Sequence, residues 1–195
     1  VYFGSFDPPH AGHLDTIRRA IRSAGLDEVV IVPNARTSAK PGLTPLESRI
    51  ALLREFVRGE AKLNLYVGDP SLILERYGHD SFYERIAQIY GTRDVYQIVG
   101  EDSFEGIVSR GDFKPIDGRK LLVVPRPRDG AASNLSIPAS LKSSVSVLPE
   151  NDDDVRGLSS TLIRRLIAEG KPIDGSILSP GVHRAIDDLG LYRSN

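Results

Sequence analysis

The 195-residue sequence has no cysteine, which excludes disulfides, thiolate nucleophiles and every cysteine-based zinc site together. Tryptophan and methionine are missing as well. No apolar run approaches the roughly 18 residues of a membrane span, and no basic-then-apolar leader is visible, so a soluble, cytoplasmic protein is expected. Charge of one sign is also lacking. With 25 basic and 26 acidic residues the formal net charge is -1, so no global field favours nucleic acid or an anionic membrane. Any anion site must therefore be local. What is present is enough for a core: at this length a fold buries about 70% of the unfolded surface, and 40% of the residues are hydrophobic. One domain over 1–195 is expected, with 151–195 as a C-terminal helical part.

Short apolar runs recur at Val1–Phe3, Glu28–Val32, Leu63–Val67, Val95–Val99, Leu121–Val124 and Val145–Leu148. Their hydrophobicity is continuous rather than alternating, as in strands buried on both faces. Amphipathic stretches separate them: Leu14, Ile17, Ile21 and Leu26 space one stripe, and Leu46, Ile50, Leu53 and Val57 a second. This alternation predicts an α/β fold with a doubly wound, mostly parallel sheet. Pro33–Pro45, Asp112–Arg119 and Arg126–Ile137 read as long connections, and the acidic run Asn151–Asp154 as a solvated loop. Ser159, Ser160 and Thr161 open a helix that stops at Gly170, and Gly181–Tyr192 reads as a terminal helix with Val182, Ile186 and Leu189 inward.

The chemistry concentrates in Gly4–Leu14, GSFDPPHAGHL. The first strand ends at Gly4, a turn through Ser5 and Phe6 follows, and His10 and His13 lie three apart where a helix begins, so they share a face. Backbone amides at a helix N-terminus form an anion site, and imidazoles add directed donors. Gly12 lets a ligand approach the backbone. A strand-to-helix turn with two incidental histidines would explain HxGH taken alone; the eleven-residue string is more specific.

GSFDPPHAGHL resembles the signature of the HxGH nucleotidyltransferases, above all the nicotinate or nicotinamide mononucleotide adenylyltransferases. Leu158–Arg164, LSSTLIR, is similar to that family's C-terminal phosphate motif. On its own physics it supplies orphan amides, the hydroxyls of Ser159, Ser160 and Thr161, and the Arg164 guanidinium, with ordinary helix capping as the alternative. Gly100-Glu101-Asp102 resembles the family's GxD, whose acid binds the ATP ribose, and Val123–Arg128, VVPRPR, resembles the segment that brings Arg126 near the nucleotide. The resemblance implies a Rossmann-like fold and transfer of AMP from ATP to the mononucleotide with release of pyrophosphate. It assigns His10, His13 and Arg164 to catalysis, and Gly4, Ser5, Phe6, Gly12, Lys40, Gly100, Asp102, Arg126, Ser159, Ser160 and Thr161 to binding. It also implies Mg²⁺ held mainly by the substrate phosphates, and no metal bound by protein side chains.

Three features depart from the family pattern. There is no tryptophan to stack the acceptor ring, for which Tyr83, Phe104 and Phe113 are candidate substitutes; Asn34–Lys40 lacks the usual proline-histidine-lysine run; and Asp69–Arg85 shows no match. Arg49 reads equally as a surface or a functional residue. Rival readings are a pantetheine-phosphate adenylyltransferase, a cytidylyltransferase, a non-catalytic nucleotide sensor, or a tRNA synthetase fragment, the last disfavoured by near-neutral charge. The partners expected are ATP and a mononucleotide, with no nucleic acid or membrane; self-association into a homo-oligomer is left open.

Overall fold

A computed structural model describes residues 1–34, 42–68, 82–92, 94–111, 113, 119–125, 135–149, 155 and 157–193. The elements in chain order are β1 (Tyr2–Gly4), α1 (Ala11–Ala24), β2 (Val29–Pro33), α2 (Leu46–Val57), β3 (Leu63–Leu65) and α3 (82–90). They continue with β4 (Val95–Gly100), α4 (Glu101–Arg110), β5 (Arg119–Val124), β6 (Val145–Val147), α5 (Ser160–Ala168) and α6 (Pro180–Asp188). Each predicted strand is present within one or two residues.

The six strands lie in the order β3-β2-β1-β4-β5-β6, and every pairing is parallel. The strands read as continuous apolar runs because both faces are covered. In β2, Val29 and Ile31 enter the core beneath α1, α2, α5 and α6, while Val30 and Val32 face α3. In β5, Leu122 and Val124 join the first core, and Leu121 and Val123 pack with Phe104 of α4 on the other side. Burial of each such side chain stabilises the fold by about 1.5–3 kcal/mol, so the period-two register of β2 and β5 is fixed from both sides, while the edge strands β3 and β6 leave Asn64, Ser146 and Val147 exposed. The fold is Rossmann-like.

The helices confirm the 3.6-residue pattern with three corrections. Gly25, at φ +61°, ends α1 in the left-handed region, so Leu26 packs from beyond the helix. In α2 the buried face is Arg49, Leu52, Leu53 and Phe56, rotated from the expected stripe, so that Leu46, Ile50 and Val57 are only half-buried. In α6, Val182 and Ile186 are buried, but Leu189 follows the helix and is 47% exposed. Helix α6 packs on α2, where a Cβ at Gly181 would lie 2.7 Å from Glu55 Oε2. No helix among the described residues is long and apolar enough to cross a membrane.

Candidate active site

The strand order reverses between β1 and β4, the crevice where open α/β sheets bind ligands. Tyr2 pairs with Ile98, and each strand ends two residues later on a glycine, Gly4 and Gly100. Helices α1 and α4 start beyond these glycines on opposite faces of the sheet, so two helix N-termini open on one edge.

The β1–α1 turn is built from its own side chains. Phe6 sits at φ +49°, a left-handed conformation costing a non-glycine residue about 1–2 kcal/mol. Burial of its ring, edge-on to Tyr2 at 5.3 Å and against His13 at 5.0 Å, offsets that cost. A Cβ at Gly4 would come within 2.8 Å of the Phe6 ring, so Gly4 is glycine to admit this aromatic. Phe6 can thus offer a ligand only backbone. The Asp7–Pro8 peptide is cis.

His10 caps α1. Its Nδ1 accepts the Gly12 N–H at 3.1 Å, and the Nδ1 of His13 accepts the His10 N–H at 3.2 Å, a reciprocal box made of two imidazoles. Both Nδ1 atoms are acceptors, so in the neutral rings the proton is on Nε2. The ring centroids are 3.9 Å apart. His10 is 6% exposed, and burial pushes its pKa down to about 4, so it is neutral at pH 7. A Cβ at Gly12 would lie 3.0 Å from His10 Cε1. Gly12 therefore makes room for the imidazole, which is a different use from the ligand approach its sequence context suggested.

The C-terminal motif folds against this turn. Ser159 is the N-cap of α5 and accepts the Leu162 N–H at 3.2 Å, the capping role expected of a serine there. Ser160 Oγ donates to the Pro8 carbonyl at 2.9 Å, and Arg164 NH1 donates to the Asp7 carbonyl at 2.6 Å. Arg164 NH2 also donates to Thr161 Oγ1 at 3.3 Å. The two motifs, more than 150 residues apart in sequence, therefore share one wall. Thr161 is exposed and the Arg164 side chain 35% exposed, so this half of the wall faces solvent.

Asp102 lies in the first turn of α4, exposed, while its neighbour Glu101 is buried. Lys40 and Arg126 lie outside the described residues, as do 35–39 of the loop and the acidic run 151–154. The aromatic substitutes proposed for ring stacking are core residues: Phe104 is buried among Val99 and Leu121, and Tyr83 and Phe113 flank the Arg119 guanidinium at the start of β5, the far end of the strand from the crevice.

Several residues that hold the site carry little signal in the sequence. Asp7 is 2% exposed; its Oδ1 accepts the Tyr192 hydroxyl at 2.7 Å and its Oδ2 the Thr44 N–H at 3.2 Å. Burial and this carboxylate raise the Tyr192 pKa, keeping the phenol a donor. Arg49 is fully buried and donates to three carbonyls: Thr44 from Nε, Ser5 from NH1 and Asn34 from NH2, at 2.8, 2.8 and 2.7 Å. Burial lowers its pKa, opposed by the nearby Asp7. An arginine three residues after Leu46 and four before Leu53, inside an apolar stripe, was the available signal. For Asp7 it was an acid locked between Phe6 and two prolines.

Comparison with known proteins gives the family and the fold. A family model described as cytidylyltransferase-like matches residues 1–166. A probable nicotinate-nucleotide adenylyltransferase of Shouchella clausii is 30% identical over 201 residues, covering 100% of this chain and 96% of its own length. One from Gloeobacter violaceus is 27% identical over 195 residues, covering 98% and 94%. Among solved structures, the Plasmodium falciparum nicotinic acid mononucleotide adenylyltransferase complexed with NaAD superposes with a TM-score of 0.67 at 18% identity, covering 98% of this chain and 95% of that one. At that identity it supports the fold alone. The chain belongs to the cytidylyltransferase-like family and, by its sequence relatives within it, is a nucleotidyltransferase of the nicotinate-nucleotide adenylyltransferase group.

Proposed function

We propose that the protein transfers AMP from ATP to nicotinate or nicotinamide mononucleotide, releasing pyrophosphate, a dinucleotide-forming step of NAD biosynthesis. The observation that carries this reading is the docking of Ser160 and Arg164 on the Asp7–Pro8 backbone, which makes one anion site of two helix N-termini. The names of the relatives at 27–30% identity favour nicotinate as the acceptor base.

In this reaction a phosphate oxygen of the mononucleotide attacks the α-phosphorus of ATP; the new O–P bond forms as the bond to pyrophosphate breaks. The nucleophile is already ionised at pH 7, so no general base is required, and catalysis consists of holding two polyanions in line and stabilising the shifting charge. Backbone at Gly4–Phe6 receives the acceptor phosphate. The Nε2–H groups of His10 and His13 donate to oxygens around the reacting phosphorus; a neutral His10 adds a donor without a fixed charge. The amides opening α5, with Thr161 and Arg164, hold the β- and γ-phosphates. Ser159 and Ser160 act through the cap and the Pro8 tie. Gly100 and Asp102 at the start of α4 face the nucleoside, with Lys40 and Arg126 as further cations.

Asp7, the acid within the first motif, is engaged by Tyr192 and Thr44, and no group of three or more metal-ligating side chains gathers among the described residues. Mg²⁺ carried on the ATP phosphates, with water completing its shell, suits this donor set. It would neutralise charge on the departing pyrophosphate.

Pyrophosphate release measured with ATP and nicotinate mononucleotide, nicotinamide mononucleotide, phosphopantetheine or glycerol phosphate tests the reading. Turnover is expected with a pyridine mononucleotide; turnover only with another acceptor overturns it. ATP binding without release from any acceptor would make the protein a sensor.

A further inference from the structure

Arg49 has no part in the chemistry above, yet it is a fully buried cation that donates hydrogen bonds to three backbone carbonyls. A buried guanidinium is costly to desolvate, so its retention calls for a geometric role. Its partners supply one. Ser5 is in the turn after β1, Asn34 is the first residue after β2, and Thr44 lies just before α2. Two further bonds join the same stretches: the Asn34 N–H donates to the Gly4 carbonyl at 2.8 Å and the Thr44 N–H to Asp7 Oδ2. Asn34 and Thr44 are thus each held twice to the turn, once through their amide and once through Arg49. The planar fork of arginine can serve three carbonyls in fixed directions, which an ammonium cannot.

These anchors lie on the β1–β2 side of the crevice. The α5 motif docks on the Asp7 and Pro8 carbonyls, whereas Arg49 bonds the Ser5 carbonyl. Asp7, whose carboxylate accepts from Thr44, is the residue the two sides share, and Gly100 and α4 lie on the β4 side. We infer that Arg49 is a positioning residue for the acceptor: by fixing Ser5, Asn34 and Thr44 relative to one another it shapes the backbone that receives the mononucleotide and leaves the ATP half untouched. This inference rests on the proposed reaction for its assignment of the acceptor to the Gly4–Phe6 turn.

The test compares Arg49→Lys and Arg49→Met with wild type in steady-state assays, varying each substrate in turn. The acceptor is nicotinate mononucleotide, or whichever acceptor in the panel above supports turnover, so failure of the pyridine reading does not remove the test. Acceptor KM is expected to rise about tenfold or more in both variants, as small misplacements of a binding backbone do, with ATP KM changed less than about twofold and Arg49→Lys the milder. Equal rises in both KM values, or a loss of active fraction with both KM values unchanged, would reduce Arg49 to a structural role. Amide hydrogen exchange on the wild-type protein gives a readout that needs no variant. Saturation with the acceptor alone should slow exchange at the Asn34 and Thr44 amides, and ATP alone should not. No slowing with acceptor, or the same slowing with ATP, overturns the inference.

Discussion

The β1–α1 turn and the start of α5 offer the same chemistry, helix-terminal amides beside a nitrogen donor, in opposite settings. In the first, Phe6, Asp7 and His10 are buried, the caps are made by the two histidines themselves, and Arg49 and Tyr192 brace the turn from behind. In the second, Ser159 and Thr161 are exposed, and the guanidinium of Arg164 is partly in water. One half is preorganised by the core; the other is ordered chiefly by leaning on it. Preorganised donors need no rearrangement as charge develops, so the buried half suits the reacting phosphorus and the open half suits phosphates that must enter and leave.

That contrast predicts that damage to the buried half costs folding as well as activity. The largest effect is expected from Asp7→Ala, which removes the acceptor of Tyr192 and Thr44 and the carboxylate facing Arg49 and Arg164. Breaking such a buried arrangement from one side costs about 3–5 kcal/mol, or a fall in Tm of roughly 10 °C for a domain of this size. A loss below about 1 kcal/mol in urea titration would show that the carboxylate is solvated and the turn self-supporting.

A second consequence is pH dependence. His10 protonates near 6.5 in the unfolded chain but only at about 4 when folded. Between these values the unfolded state binds more protons, so the full stability present above pH 6.5 declines as pH falls and is about 3 kcal/mol lower below pH 4. Because carboxylates also titrate in acid, the measurement is the difference between wild type and His10→Asn, whose side chain still caps the helix but does not titrate. The gap in unfolding free energy between the two should shift across pH 4–6.5; a constant gap would show that the imidazole is hydrated.

His13 separates catalysis from folding within the same turn. It is half-buried, and removing its side chain loses one cap acceptor, about 1 kcal/mol. Loss of one transition-state donor lowers turnover on the order of 100-fold or more. His13→Ala should therefore remain folded by circular dichroism and be nearly inactive; unchanged turnover would remove His13 from the mechanism.

The legibility of these regions in the sequence follows the same division. Strands were readable because β2 and β5 are apolar on both faces, and α5 because Ser159 and Gly170 punctuate it. The first motif was readable as a local string. What could not be read were the long-range polar ties: nothing local in Tyr192 points to Asp7, 185 residues away, and nothing in Arg49 points to the carbonyls of Ser5 and Asn34. Backbone acceptors have no residue identity, so the bonds of a buried cation to the carbonyls of Ser5, Asn34 and Thr44 leave no pairing pattern in the sequence. Leu189 and the three core aromatics show the converse, where periodicity and residue type were right in kind but tertiary packing chose the face.

The exposed half gives the smallest and most selective effect. Arg164 spans the two motifs, with NH1 on the Asp7 carbonyl and NH2 on Thr161 Oγ1, a geometry that directs a planar fork along the wall between α5 and the turn. Arg164→Lys keeps the charge but replaces the fork with a single hydrated point, losing directed bonding to a phosphate while sparing most of the folding energy of a partly solvated tie. ATP KM should rise about tenfold, equivalent to about 1.4 kcal/mol, with Tm within a few degrees of wild type and acceptor KM little changed. The variant also separates the two halves: if ATP affinity is equal in both proteins while Tm falls, Arg164 is a brace for the turn, and the triphosphate must be held by the α5 amides alone.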